Sequence, residues 1–315
     1  MKKSQNISFN DDDIIDVTKY INKFRFTGKS LYHYTTTDSF IKIIESEKLW
    51  LTNCRFMNDS SELQYPIDIT KKAINDLIIK KDYSSEFQNN VLKLVPDALK
   101  TVKDRNYIVC FTSNGDSLPM WNMYGKSGLA IEFDLSDKDS QIINQMKNLF
   151  FKIQYDEKSV INNINKMVDE VYANYIKNKE NDKQLPDNIF YLVLAHSLVT
   201  LGMFYKYPAF KTEKEIRCLY YSPANADDPI FEPEDIKFRK KGNTIASYVE
   251  IPSSNLHLLN KDRLNKFNHK LPIKSVTVGP GLDQDIKEEG LKTFLERKGY
   301  SEVEIKKSKI PYRDM

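Results

Sequence analysis

The chain has 315 residues, 40% hydrophobic, 12% aromatic and 29% charged, with 47 basic against 44 acidic side chains and a net charge of +3. That balance fits a globular protein and excludes a disordered, collagen-like or fibrous one, and it lacks the strong basic excess of a dedicated nucleic-acid binder. The ten glycines, at 28, 115, 125, 128, 202, 242, 279, 281, 290 and 299, cannot be assembled into G-x-G-x-x-G or G-x-x-x-x-G-K-S/T, which excludes the Rossmann and P-loop routes to a bound phosphate.

In chain order, residues 1–30 read as a polar lead-in with a short helix around Ile14 to Phe24. No apolar stretch follows the basic MKK, so no signal peptide is expected. Leu31 to Tyr34 predicts a strand. Thr37 or Asp38 then caps a helix over Ser39 to Glu47, with Phe40, Ile43 and Ile44 on one face. Leu49 to Thr52 is a second strand. After the loop NCRFMNDSSE, Ser60 or Ser61 caps a helix from Glu62 to about Lys80, and another spans about Ser85 to Lys100.

Tyr107 to Thr112 (YIVCFT) predicts a strand buried on both faces. A helical turn, LPMWNMYG, precedes the alternating strand Leu129 to Leu135, and residues 149–155 give one more. Two long helices follow, at about 156–179 and 188–206. The second holds Ile189 to Tyr205, seventeen residues without a formal charge. That only reaches the lower limit of a membrane span, and with His196, Ser197 and Thr200 inside it reads as a buried helix. Glu213 to Tyr221 predicts a strand with Glu213, Glu215 and Arg217 on one face and Ile216, Cys218 and Tyr220 on the other. Residues 236–251 predict a hairpin turning at Gly242-Asn243. The end reads as β-α-β: IKSVTVGP, a helix from about Asp283 to Lys298, and VEIKKSKI. Strands and helices are mixed without strict alternation, which predicts an α+β fold.

Cys54, Cys110 and Cys218 are odd in number and widely spaced, which argues against disulfides and zinc and for a reducing, cytoplasmic setting. Cys110 and Cys218 sit in apolar runs as buried thiols. Lys237, Arg239, Lys240 and Lys241 form one basic knot and Lys306, Lys307 and Lys309 another. Both read as solvated surface, with a nucleic-acid role as the alternative.

Several constellations could carry chemistry. Tyr32-His33-Tyr34-Thr35-Thr36 puts a histidine among hydroxyls at a strand end, where a ring nitrogen can bond a ribose or amide. The bland alternative is an interior histidine satisfied by backbone. Asn58-Asp59-x-x-Glu62 can cap a helix or contact a ligand. Met120-Trp121-x-x-Tyr124 is core or a stacking platform. Glu213, Glu215 and Arg217 are an ion network or a carboxylate held beside developing positive charge. Asp235-Ile236-Lys237 and Glu304-Ile305-Lys306 are weak matches to a metal-dependent nuclease. No metal-ligand set is identifiable.

In this order the blocks resemble the bacterial proteins grouped as domain-of-unknown-function 2971. The blocks are LYHYT with a helix and LW (31–50), FMNDSSEL (56–63), CFTSNGDSLPMWNMYGKSGLAIEFD (110–134), the K…F..E.E.R stretch (206–217) and IKSVTVGPGL with the closing helix and strand (273–310). Phe210 stands where that family usually has Trp, and the proline common after Asn-Asp is missing after Asn58-Asp59. The family's layout is similar to the ADP-ribosyltransferases.

That resemblance implies two small, mostly antiparallel sheets forming a cleft, with flanking helices. It implies a single domain over 31–315, with helical insertions at about 60–103 and 156–206. It assigns His33 to the adenosine ribose of NAD and puts Tyr34, Trp50, Trp121 or Tyr124 near the nicotinamide. Thr35, Asn58, Asp59, Glu62 and Arg217 complete the binding set, and Glu215, or Glu213 in an E-x-E arrangement, is the catalytic carboxylate beside His33. The implied activity is NAD cleavage, with ADP-ribose passed to nucleic acid or protein, in a toxin or anti-phage role. The alternatives are a nucleotide-sensing or protein-binding module without turnover, and a metal-dependent nuclease.

Overall fold

The computed structural model describes residues 15–57, 64–80, 83–126, 128–146, 149–180, 185–221, 236–252 and 270–311. Asn58, Asp59 and Glu62, the Ser60 and Ser61 caps, and Asp235 lie outside them. The chain divides into two compact units.

One unit gathers Met57–Asp104 and Gln154–Pro208 with the described residues up to Phe24. It is helical: α1 (Thr18–Ile21), α3 (Gln64–Lys80), α4 (Ser85–Arg105), α7 (Glu157–Glu180) and α8 (Asp187–Gly202). On α4, Phe87, Val91, Val95, Ala98 and Val102 are buried, three or four residues apart, so they form the single apolar stripe of a helix that covers a core. α8 is buried nearly all round, from Phe190 to Leu201, which explains its uncharged run. At ~1.5 Å per residue its length falls short of a ~30 Å bilayer core. No helix among the described residues is long and apolar enough to cross a membrane.

The other unit gathers Arg25–Phe56, Arg105–Ile153 and Ala209–Met315 and carries the sheet. Its strands are β1 (Ser30–Thr35), β2 (Leu49–Asn53), β3 (Asn106–Thr112), β4 (Leu129–Asp134), β5 (Phe150–Lys152), β6 (Glu215–Tyr221), β7 (Lys237–Lys241), β8 (Thr244–Ile251), β9 (Ile273–Val278) and β10 (Glu304–Lys307). The order is β10-β9-β4-β1-β3-β2-β8-β7, with β6 on β3 and β5 on β6. β9 and β10 are parallel and joined through α9 (Gln284–Arg297), as the β-α-β reading expects. The other pairs are antiparallel. Helices and strands are thus mixed, as predicted. In place of two small sheets, however, these strands share one hydrogen-bonded network, because β3 pairs with strands of both branches.

β3 is the branch point. One edge pairs with β6 over its whole length, from Asn106↔Tyr221 to Thr112↔Glu215. On the other edge β2 takes the start, at Tyr107↔Asn53 and Ile108↔Thr52, and β1 takes the end, at Thr112↔Tyr32. Val109, Cys110 and Phe111 have no strand partner on that edge among the described residues. Both β1 and β2 run antiparallel to β3, so they point the same way and part over this stretch.

The sheet has two unlike faces, as period-2 alternation requires. Leu31, Leu51, Phe111, Ile131, Ile216, Val249 and Val276 face one core, closed by Phe40 and Ile44 of α2 (Thr37–Ser46) and Leu291 and Leu295 of α9. The registers put Tyr32, Trp50, Thr52, Thr112, Glu215, Arg217, Arg239 and Tyr248 on the opposite face.

Three local expectations are corrected. Thr36, not Thr37 or Asp38, caps α2 by accepting from the Ser39 N–H, because its extended backbone aims the hydroxyl at the first turn. Cys110 is partly exposed rather than buried, since the strands part beside it. Glu213 is not on the strand: it ends the 3-10 turn Pro208–Glu213, and Lys214 at φ 45° separates it from β6. The E-x-E spacing therefore does not place both carboxylates on one strand face.

Candidate functional site

His33 fills the gap between β1 and β2. Its Nδ1 lies 2.9 Å from the Cys110 carbonyl, the stretch of β3 that neither strand covers. A carbonyl only accepts, so Nδ1 carries the proton, and the neutral ring keeps Nε2 as a bare acceptor. Burial lowers the His33 pKa, the Cys110 bond opposes this, and the charge of Arg239 lowers it further. Nε2 has no hydrogen-bond partner among the described residues. Phe111 flanks the ring at 5.6 Å.

On the face opposite the core, Trp50 of β2 is half-buried and lies 4.7 Å from the Tyr248 ring. Arg239 of β7 extends over both, its Cζ 5.4 Å from the Trp50 ring and 5.9 Å from that of Tyr248. Arg239 Nη2 donates to Thr52 Oγ1 at 2.6 Å. Two donors here are buried without a hydrogen-bond partner, Trp50 Nε1 and Arg239 Nε. Sequence reasoning grouped Arg239 with a solvated basic knot. The alternation of β7 and its Arg239↔Ala246 register turn it inward, and only the pairing of distant strands sets that.

Tyr34 and Trp121 have other work. The Tyr34 hydroxyl donates to the Asn114 carbonyl at 3.0 Å and accepts from the Ser117 N–H at 2.9 Å, which fixes the loop after β3. Burial raises its pKa. Trp121 is 1% exposed, packs edge-on to Tyr34 at 4.6 Å, and donates from Nε1 to Asp116 at 2.8 Å. It sits in the wide helical turn Trp121–Gly125 after α5 (Leu118–Met120). Gly125 is needed there, because a Cβ would lie 2.6 Å from the indole. Both aromatics are built into a wall, so neither offers a free ring face. Thr35 is buried at the end of β1, opposite Leu129.

Tyr124 donates to Glu213 Oε1 at 2.9 Å. Glu215 is engaged by Arg217, with Nε 2.7 Å from Oε1 and Nη2 3.5 Å from Oε2. Both are almost fully buried. Glu215 pairs with Thr112, and Thr112 with Tyr32, so Glu215 lies two strands from β1. It shares the face of Tyr32, whereas the neighbouring His33 alternates to the side of Phe111 and Ile131. The structure therefore leaves His33 at the parting of β1 and β2 on the side of Phe111 and Ile131, sets Trp50 and Arg239 on the opposite face of the sheet, and keeps Tyr124, Glu213, Glu215 and Arg217 beyond β3. In the nuclease-like triplet at β10, Lys306 bonds Glu132 and Ser275 across the sheet as well as Glu304.

No curated protein and no solved structure matches this chain. A family model described as Protein of unknown function (DUF2971) matches residues 120–218. The chain is thus similar to that family over the segment holding Trp121, Tyr124, Glu213, Glu215 and Arg217.

Proposed function

We propose that the chain is a nucleotide-recognition module that binds NAD at the parting of β1 and β2. The observation that carries this reading is the fixed tautomer of His33, whose Nδ1 is committed to Cys110. The remaining ring nitrogen accepts a hydrogen bond from a ribose hydroxyl. Lowering of the His33 pKa keeps it an acceptor at neutral pH. Calorimetric titration of NAD into the protein tests this, since an acceptor removed by His33→Phe should weaken binding. Unchanged affinity in that variant would remove the reading.

A second reading is NAD cleavage with transfer of ADP-ribose to nucleic acid or protein, in a toxin or defence role. It is favoured by the cluster joined by the Tyr124–Glu213 bond at 2.9 Å within the segment similar to the family. A carboxylate there would stabilise the oxocarbenium-like charge that builds up as the nicotinamide–ribose bond breaks. The Arg217–Glu215 pair at 2.7 Å favours the first reading, because a carboxylate already answered by a buried guanidinium must be released before it can act. Nicotinamide release from labelled NAD, lost in Glu215→Gln, would establish transfer. NAD binding with no release from either protein would establish recognition alone.

A further inference from the structure

Arg239 lies across the sheet. Its register partner, Ala246, is small and fully buried, so the side chain passes over β8 toward β2. There Cζ stands 5.4 Å from the Trp50 ring and 5.9 Å from that of Tyr248, and Nη2 donates to Thr52 Oγ1 at 2.6 Å. Its neighbours on that face of β7 are answered, Lys237 by Glu250 at 2.8 Å and Lys241 by the Phe56 carbonyl. Arg239 has no carboxylate partner among the described residues. Taking an unanswered guanidinium out of water is costly, and two rings offset only part of that. Arg239 Nε and Trp50 Nε1 are buried donors with no acceptor, and groups left so call for an explanation such as a bound ion. The arginine as a whole is only half-buried, so a ligand can reach it.

We propose that Arg239, set against Trp50 and Tyr248 and anchored by Thr52, is a binding site for a phosphate group. A guanidinium fork matches phosphate oxygens two at a time. The Thr52 bond and the two rings hold the fork in place beforehand, so little side-chain freedom is lost on binding. The unanswered N–H groups of Arg239 and Trp50 add their positive ends to the guanidinium charge, and the low-polarity aromatic walls strengthen its attraction for an anion. A phosphate, with about two negative charges and three acceptor oxygens, gains more from this than a carboxylate does. The site stands apart from the NAD reading, because His33 lies on the other side of the sheet with Phe111 and Ile131.

The chain has two tryptophans, so the indole N–H signals of the full chain in a proton–nitrogen correlation spectrum read the site and a control together. Trp121, bonded to Asp116, is the control, and Trp50→Phe assigns the two signals. Inorganic phosphate, phenyl phosphate, phenol and acetate are titrated into wild type, Arg239→Gln, Arg239→Lys and His33→Phe. Phosphate should move the Trp50 signal saturably and leave that of Trp121 in place. Arg239→Gln should weaken phosphate binding roughly 10- to 100-fold, the range of a charge-assisted contact, while its unmoved Trp121 signal reports an intact fold. Arg239→Lys should recover part of the loss, and His33→Phe should change nothing. Tighter binding of phenyl phosphate than of phosphate, with none of phenol, assigns the site to an organic phosphate; equal binding assigns it to the free ion. The proposal is overturned by no saturable shift in wild type, by equal affinity in Arg239→Gln, or by phosphate binding lost in His33→Phe. Acetate bound as tightly as phosphate, or a shift produced by a single-stranded oligonucleotide alone, overturns it as well.

Discussion

Arg217 Nε lies 2.7 Å from Glu215 Oε1, with the two side chains 1% and 4% exposed. They stand two residues apart on one strand, so alternation alone brings them to the same face. Such a pair gains little over an apolar replacement, but removing one partner strands the other charge in a dry interior. Glu215→Gln and Arg217→Met should each cost about 3–5 kcal/mol of stability, and the double change Glu215→Leu with Arg217→Met should cost less than the sum. Urea unfolding measures all three. Losses below about 1 kcal/mol for the single changes would mean that the pair is not the buried element described, and would free Glu215 for a part in catalysis.

His33 carries a pH signature. Its pKa in the folded chain is lowered, by burial first and the charge of Arg239 besides, so the unfolded chain binds the proton more readily. The contribution to stability is therefore whole above the ordinary histidine value of ~6.5 and is lost as pH falls through it toward the folded value. Unfolding free energies at pH 8 and pH 5.5 should show wild type losing more than His33→Phe. The reverse order would mean that the imidazole is charged in the fold, with no acceptor nitrogen for a ribose.

Local signals predicted the local elements. Alternation and turn chemistry gave β1, β2, the hairpin at Gly242 and the closing β-α-β unit. The candidate site was legible only where one residue's surroundings are local, as for Glu215 and Arg217. It failed where distant strands decide. The spacing of Trp121 and Tyr124 reads as core or as a stacking platform, and tertiary packing decides for core at Trp121, whose indole is sealed against Tyr34 and bonded to Asp116. Arg239 reads as one cation in a surface knot, yet pairing of β7 with β8 and of β8 with β2 delivers it to Trp50. Glu213 was lost to the strand by one left-handed residue, Lys214, that no side-chain pattern announces.

Glu132 anchors the other branch of the sheet. Burial alone would raise its pKa, but hydrogen bonds from Ser275, Lys274, Ser30 and Lys306 together hold it at about 2. Its stabilising effect is then complete above the usual glutamate value of ~4.3 and is lost as pH falls from there toward 2. Glu132→Gln should destabilise at pH 6, and the difference from wild type should shrink steadily in unfolding curves taken down to pH 3. A difference that stays constant over that range would rule out an ionised Glu132 as the hub joining β4, β9 and β10.

Two glycines make opposite predictions because their surroundings differ. A Cβ on Gly128 would lie 2.6 Å from the Thr35 carbonyl oxygen and 2.8 Å from that of Gly125, whereas one on Gly290 meets nothing within 4 Å. The first contacts are backbone of β1's end and of the Trp121 turn, which cannot yield without shifting both, so Gly128→Ala should cost about 1–3 kcal/mol. Gly290 lies inside α9, where alanine loses less conformational entropy, so Gly290→Ala should stabilise by about 0.5–1 kcal/mol. Thermal unfolding of the two variants separates them by sign. Because Gly128 tethers the Trp121 turn to β1, Gly128→Ala should also disturb the near-UV circular dichroism of the buried indole, and Gly290→Ala should leave it unchanged. An unaltered indole signal in a destabilised Gly128→Ala would mean that β1 yields and the turn does not, and NAD binding through His33 would then weaken with it.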